Sequence, residues 1–489
     1  MSSTSSLTAR RLAALLAVLC LFAPALFDAR RAAASGVLQS PSAQATPAAR
    51  ARRVLVISLD GLDARYLRDA DRYGLKIPTL RRLSAEGAWS RAGVVGVYPT
   101  VTYPSHTTLV TGARPARHGI FGNGVFEPPP LPQTDAWYWF ARDIKADTLW
   151  QSAARARLKT ALVSWPVAAG AGDWNVPEIW KPGGTQAESR ERMREHARPA
   201  GLLEEVARAD AKLYDAVTAD EGDDMRTRFA EYLLAEKRPH VTLIHLFDLD
   251  HFQHDAGPFT PEAFALLEKS DAYVARLLAA AARAGTLSET AVFIVSDHGF
   301  RPLNRMVHPN VILERAGLLK WREEKDARGE PRRVVAEWRA VAYVSAAYAA
   351  IILKDRHDRD ALRRARAAFR AYEGGDAPGA GKGVLRLVER PALDRLGADP
   401  RAAFALDPGE GFSFEGRFAA EVVTVASGRG QHGYLPHPPD YRASFIASGA
   451  GVTRRGDLGE VRMIDIAPTI AHTLGLRLRD AEGRPLRLR

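Results

Sequence analysis

The chain of 489 residues has a single cysteine, Cys20, and it lies in an apolar run near the N-terminus. The residue before it is Leu19, a poor context for lipoprotein cleavage. A mature protein without that run holds no thiol, which excludes a disulfide framework, a thiolate zinc centre and a cysteine nucleophile. Any metal must then be held by Asp, His and hydroxyl groups. Beyond the N-terminal run, no segment is apolar over the roughly 20 residues needed to cross a bilayer. A basic run interleaved with aromatics is lacking too. The formal net charge of +11 is carried by scattered Arg, so sequence-specific nucleic-acid binding is not expected. No internal repeat is found, and an apolar fraction of 46% with 26% charged residues is ordinary for a globular chain.

The N-terminus has the order of an export segment. Arg10-Arg11 precede an apolar run from Leu12 to Phe27, and small residues follow at Ala32-Ala33-Ala34-Ser35. Residues 1–34 read as a signal peptide or an uncleaved N-terminal anchor, and Ala-Arg-Arg-Leu-Ala is only a weak twin-arginine match. The Ala/Pro/Ser/Gln-rich residues 35–52 read as a disordered linker. The body is therefore expected to be exported, periplasmic or secreted, with a membrane tether at its N-terminus as the alternative.

From Arg53 onward, strand-like and helix-like segments alternate, which predicts an α/β fold: a doubly wound, mostly parallel sheet flanked by helices. Strands are expected at 54–59, 160–163, 241–247, 291–296 and 443–447. Helices are expected at 261–284, with apolar residues at helical spacing, and at 464–474, ended by Gly475. The region at about 311–426 is richer in Arg and Glu. It reads as an inserted α+β cap, with strand-like pieces at 342–353 and 383–389, a helix at 358–372 and a surface loop at 374–383. The catalytic domain as a whole is set at 53–489.

Three strand-like runs end in residues that bind metals. The first ends in Asp60, the second in Asp248, Asp250 and His254, and the third in Asp297-His298. Ligands of open α/β sheets bind at the carboxyl ends of the strands. Several buried like charges in one crevice call for a metal, since they would otherwise repel or neutralise. Asp250 and His254 are four residues apart and can face one ion, with Asp248, His251 and Asp255 as competitors. Asp60-Gly61 taken alone also reads as a solvated turn. Thr102 lies just ahead of a helix that Pro104 opens and Gly112 closes, a position that favours an anion. A metal-bound hydroxyl there would be nucleophilic; the alternative is a plain N-cap. His432 sits between Gly and Gly in Gly430-Gln431-His432-Gly433, where the backbone can approach a site closely.

Taken together these segments resemble the nucleotide pyrophosphatase/phosphodiesterase branch of the alkaline phosphatase superfamily, across nearly everything from Val54 to Leu476. The matching pieces are Leu-Asp-Gly at 59–61, Thr-Tyr-Pro-Ser-His at 102–106 and Thr-Gly-Ala-Arg-Pro-Ala-Arg-His-Gly-Ile at 111–120. They continue with Asp250, His254 and Gly257-Pro258, Ser-Asp-His-Gly at 296–299, Gly-Gln-His-Gly at 430–433 and Asp-Ile-Ala-Pro-Thr at 465–469. The resemblance implies an alkaline-phosphatase-like fold with two zinc ions. One would be held by Asp250, His254 and His432, the other by Asp60, Asp297, His298 and the Thr102 hydroxyl. Manganese or another divalent ion is the competitor, although nitrogen and oxygen donors suit zinc. Thr102 would attack phosphorus to give a phospho-threonine that water releases. Asn123, in Phe121-Gly122-Asn123-Gly124, matches the family's donor to a phosphate oxygen.

The expected activity is hydrolysis of phosphate diesters or nucleotide pyrophosphates, with a small phosphate ester or nucleotide as the partner molecule. The alternative is an alkaline phosphomonoesterase or phosphonate hydrolase on the same site. Phosphomonoesterases of the superfamily that use Thr add a Lys and Arg pair for the third phosphate oxygen. Here only Lys145 and Lys159 match by residue type, which leans toward diesters. Tyr103 is expected either to stack on substrate or to pack, and His106 and His118 to be structural. Trp165-Pro166 matches a family element that continues with Gly, whereas this chain has Val167-Ala168-Ala169, which leaves fine specificity open.

Overall fold

The structure is a computed structural model that describes residues 51–129, 136–210, 222–325, 329, 331–373 and 383–489. The export segment or anchor at 1–34, the linker up to residue 50 and the expected loop at 374–382 lie outside the described residues.

An eight-stranded sheet forms the middle of the molecule, ordered Gly456–Asp457, Ala88–Trp89, Phe445–Gly449, Thr290–Val295, Arg53–Leu59, Val241–Leu246, Thr160–Val163, Trp174–Val176. The strands from Thr290–Val295 through Trp174–Val176 run parallel. Phe445–Gly449 joins antiparallel. Arg53–Leu59 is buried at every position after its first. That explains its unbroken aliphatic sequence: a strand covered on both faces has no reason to alternate. Its side chains still divide by the two-residue period. Leu55, Ile57 and Leu59 pack with Leu267, Val274 and Leu277 of the helix Pro261–Arg283. Val54 and Val56 pack with Ile466, Ala467 and Ile470 of the helix Ile466–Thr473 on the other face. The sheet is thus sandwiched between helices, as the alternation of segments predicts.

Residues 319–425 are built differently. An antiparallel sheet orders Ala340–Ser345, Tyr348–Leu353, Ala402–Pro408 and Leu385–Glu389, backed by the helix Arg359–Arg370. This part has a hydrophobic cluster of its own around Phe369, Phe404 and Leu406, which Tyr98 and Phe121 join. The single strand expected over 342–353 is in fact a hairpin. Its turn, Ser345-Ala346-Ala347-Tyr348, contains none of the Gly, Asn or Pro residues that usually mark one, and Ala346 adopts φ +53° to make it. The helix expected over 464–474 opens as a 3₁₀ turn at Met463–Asp465 and is α-helical over Ile466–Thr473.

Candidate active site

Pairing of the three central parallel strands sets Leu59 level with Leu246 and Ser58 level with Val295. The residues that follow therefore emerge together at one edge of the sheet. Asp60 directly follows its strand. Asp250 and His254 lie one turn apart on the helix Asp248–Ala256, and Asp297-His298 end the third crossing. Facing them is the helix Thr102–Thr111, buried along its whole length and closed by Gly112 in the left-handed conformation at φ +67°. Thr102 is its first helical residue. The N-cap is Val101 and makes no side-chain capping bond, which removes the reading of Thr102 as a cap.

Two groups of ligand atoms result, Asp60 with Asp297 and His298, and Asp250 with His254 and His432. In the first, His298 Nε2 lies 2.9 Å from Asp297 Oδ2 and 3.4 Å from Asp60 Oδ1. In the second, Asp250 lies 3.5 Å from His254 Nε2 and 3.8 Å from His432 Nε2. Asp250 Oδ1 is also 3.8 Å from His298 Nε2, so the groups adjoin. His298 and His432 stack with ring centroids 3.7 Å apart.

Electrostatics make this cluster costly as it stands. Burial, with the Asp297 and Asp250 carboxylates, pushes the Asp60 carboxyl well above the usual range. Burial also works against ionised Asp297, but His298 and His106 outweigh it and hold that carboxyl low. His298 is lifted to about 9 because Asp297, Asp60 and Asp250 outweigh its burial. Burial, then His298 and His254, drive His432 well below its ordinary value. Asp60 Oδ1, Asp250 Oδ1, Asp297 Oδ2 and both His298 nitrogens are buried without a hydrogen-bond partner. The short His298–Asp297 contact is therefore a convergence of two ligand atoms with no hydrogen bond between them. Buried polar atoms are nearly always paired. Nitrogen and carboxylate oxygen atoms aimed at one another, and left unpaired, fit divalent cations.

The Nδ1 atoms of His254 and His432 face backbone carbonyls, as outer contacts of metal-binding imidazoles do. His254 Nδ1 is 3.2 Å from Gly430 O, and His432 Nδ1 is 3.2 Å from Thr100 O. Of the competitors in the second segment, Asp248 turns away and accepts the Asp223 amide. His251 and Asp255 are exposed and belong to neither group.

Asn123 stands beside the start of the Thr102 helix. Its Oδ1 accepts the Tyr103 backbone N–H at 2.9 Å. A donor at that oxygen fixes the amide's orientation and leaves Nδ2 to donate elsewhere. The Asn123 N–H in turn donates to Ser345 Oγ, and Tyr343 Oη donates to Gly124 O. Asn123 lines a cleft of ≈ 480 Å³, together with Phe126, Trp137, Tyr343, Ser345 and Gln431.

Tyr103 is 1% exposed, clustered with Ile120, Tyr138 and Val167, and its hydroxyl donates to Glu178; its burial favours packing over stacking on substrate. Val167, where the family pattern has Gly, adopts φ +56°, a strained conformation for a β-branched residue. Trp165 is fully buried and packs edge-on against His106.

His106 lies between Ser58 Oγ and the Thr102 carbonyl, and His118 between Thr108 Oγ1 and the Ile120 N–H. Burial holds them near 4 and 3, as structural neutral imidazoles. Lys145 packs its methylenes on Gly119, and Lys159 is committed to Asp173 at 2.7 Å.

Two residues at the centre carry no sequence motif. His245, inside the strand Val241–Leu246, bonds Asp60 Oδ2 at 2.7 Å and Glu178 Oε2 at 2.8 Å. Glu178 follows the edge strand Trp174–Val176. The only sequence signal was an imidazole within an otherwise apolar strand. Asp60, His106 and His245 also lie close enough to be taken for a third metal group. Their imidazole nitrogens are all paired, however, so they hold the first group in place.

Comparison with known proteins shows the family and the fold. Residues 54–393 match the family model for type I phosphodiesterase / nucleotide pyrophosphatase. Ectonucleotide pyrophosphatase/phosphodiesterase family member 1 of Mus musculus is 25% identical over 254 residues, 50% of this chain and 24% of that protein. An uncharacterized pyrophosphatase/phosphodiesterase of Schizosaccharomyces pombe is 27% identical over 267 residues, covering 52% and 46%. The chain thus matches less than half the length of either relative. Murine ectonucleotide pyrophosphatase/phosphodiesterase 5 shares the fold at a TM-score of 0.59 and 20% identity, over 88% of this chain and 97% of that one. An inactive form of that protein, solved in complex with AMP, aligns with a TM-score of 0.58 and 18% identity over the same shares.

Proposed function

The chain belongs to the type I phosphodiesterase / nucleotide pyrophosphatase family, and from that premise we propose that it is an exported, metal-dependent hydrolase of phosphate diesters or nucleotide pyrophosphates. The observation that carries this reading is the set of unpaired polar atoms of Asp60, Asp250, Asp297 and His298 buried together at the sheet edge, with His106 linking Asp297 to the Thr102 carbonyl. In this reading Asp60, Asp297, His298 and the Thr102 hydroxyl hold one zinc, and Asp250, His254 and His432 the other. Two cations held there would supply Lewis-acid stabilisation of the charge that develops on phosphoryl transfer.

The protein's own groups do the rest. Thr102 Oγ1 gives up its proton to solvent and forms a bond to phosphorus as the bond to the leaving oxygen breaks, that oxygen departing as the alcohol or phosphate; water then displaces Thr102, which regains a proton as the second product is released. Asn123 Nδ2 donates to a non-bridging phosphate oxygen, its orientation set by the Tyr103 amide. The cap, proposed to span 311–426 of a catalytic domain over 53–489, braces the Asn123 loop through Ser345 and Tyr343. A nucleotide substrate is supported by the fold relative bound to AMP. Export is supported by the order of charged, apolar and small residues at 1–34. Among the described residues no helix is long and apolar enough to cross a membrane.

The test is hydrolysis of bis-p-nitrophenyl phosphate against p-nitrophenyl phosphate by the zinc-loaded protein. Preference for the diester is expected. Preference for the monoester would replace this reading with that of a phosphomonoesterase.

A further inference from the structure

A continuous chain of buried hydrogen bonds runs from the metal-facing carboxylate to the residue beside the nucleophile. Asp60 is 2% exposed, and its two oxygens differ: Oδ2 takes the His245 Nε2 contact at 2.7 Å, while Oδ1 has no partner and faces His298. On the other side of the imidazole, Nδ1 lies 2.8 Å from Glu178 Oε2 and 3.0 Å from Ser164 O. With Asp60 ionised, as a metal ligand must be, every neighbour of the ring nitrogens is an acceptor, and the ring donates to both sides. The second Glu178 oxygen accepts the Tyr103 hydroxyl at 3.1 Å. His245 and Tyr103 are nearly inaccessible, at 2% and 1% exposure. The edge of His106 closes against the His245 ring, with centroids 4.5 Å apart.

We infer that His245 is a positioning residue that turns one oxygen of Asp60 into the metal site, and that Glu178 locks its imidazole in that orientation. The inference rests on the two-metal reading above and adds residues that carry no family motif in this chain. A carboxylate on a strand end can rotate, and each oxygen can serve as ligand or as hydrogen-bond acceptor. A donor fixed on Oδ2 assigns those roles and commits Oδ1 to the ion, as a second contact does for metal-binding imidazoles. Glu178 is placed to hold two groups at once, one oxygen for His245 and one for Tyr103. It therefore ties the wall behind the nucleophile to the ligand in front of it. The other metal group, Asp250 with His254 and His432, has its own backbone contacts at Gly430 and Thr100. It should not depend on His245.

The experiment is a chelator-competition titration of zinc on the full-length protein, which resolves the two sites by affinity, with circular dichroism of the metal-free forms. His245→Ala should weaken one zinc by about 10- to 100-fold and leave the other unchanged. His245→Gln retains one N–H toward Asp60 and should recover part of the loss. Glu178→Gln, which cannot accept from both neighbours, should weaken the same site by a smaller factor. Wild-type affinity at both sites in His245→Ala would overturn the inference, as would equal loss at both sites with no recovery in His245→Gln, the pattern of a merely structural residue. If His245→Ala fails to fold, the His245→Gln and Glu178→Gln titrations decide. A wild-type protein that binds no second zinc would refute the two-metal reading itself, and the inference with it.

Discussion

In the proposed reaction Thr102 and Asn123 would act on the phosphate from opposite ends of one short hydrogen-bonded unit, the Tyr103 amide on Asn123 Oδ1, so their variants should fail differently. Thr102→Ala removes the atom that bonds phosphorus. Turnover should fall by about 10³-fold or more, while zinc measured by elemental analysis stays bound because six other ligands remain. Undiminished turnover in that variant would move the nucleophile elsewhere. Asn123→Ala removes only a donor to a phosphate oxygen. Its kcat should drop by about 10²- to 10³-fold, and steady-state kinetics on a diester reads that directly. Most residues of the two candidate metal groups were legible in the sequence because Asp60, Asp250, His254, Asp297 and His298 follow strand-like runs, whereas His432 was marked only by its flanking glycines. His245 was not legible, since its partners Asp60 and Glu178 lie 185 and 67 residues away. An imidazole inside an apolar strand does not announce what it touches.

At the scale of elements, the loop carrying Asn123 is pressed against the cap strand Ala340–Ser345. Gly122 is where they meet. A Cβ there would lie 2.2 Å from Tyr343 Oη and 3.0 Å from Ser345 Oγ, so even alanine must displace the Tyr343 ring, with its hydrogen bond to Gly124, or the loop itself. Gly122→Ala should cost about 1–3 kcal/mol of stability and lower kcat together with it, read from urea unfolding and turnover of the same preparation. Wild-type turnover would show that the cap does not position Asn123. Ser345→Ala, which removes only the acceptor for the Asn123 amide, should be milder. The glycines of Phe121-Gly122-Asn123-Gly124 signalled a close approach, but what approaches was not readable. The cap hairpin lacks turn residues, and its pairing with the core loop spans 222 residues.

Across the whole molecule, the layering was readable because a sheet covered on both faces demands apolar strands separated by amphipathic helices, and the chain alternates accordingly. Acid stability follows from the same packing. His118 is buried and its pKa lowered to about 3, so between pH 6.5 and 3 the unfolded chain binds a proton that the folded chain does not. Stability should therefore fall as pH drops through that window, by about 1.4 kcal/mol per unit for this group alone. His118→Gln should flatten the decline in urea unfolding measured with chelator present; an unchanged slope would mean that His118 is not held neutral. The proposed reaction turns on a covalent bond between Thr102 and phosphorus. The most direct measurement is the configuration at phosphorus after hydrolysis of a chiral phosphorothioate diester in isotopically labelled water. Two in-line displacements, first by Thr102 and then by water, predict retention. Inversion would mean that water attacks the substrate directly and would contradict the account.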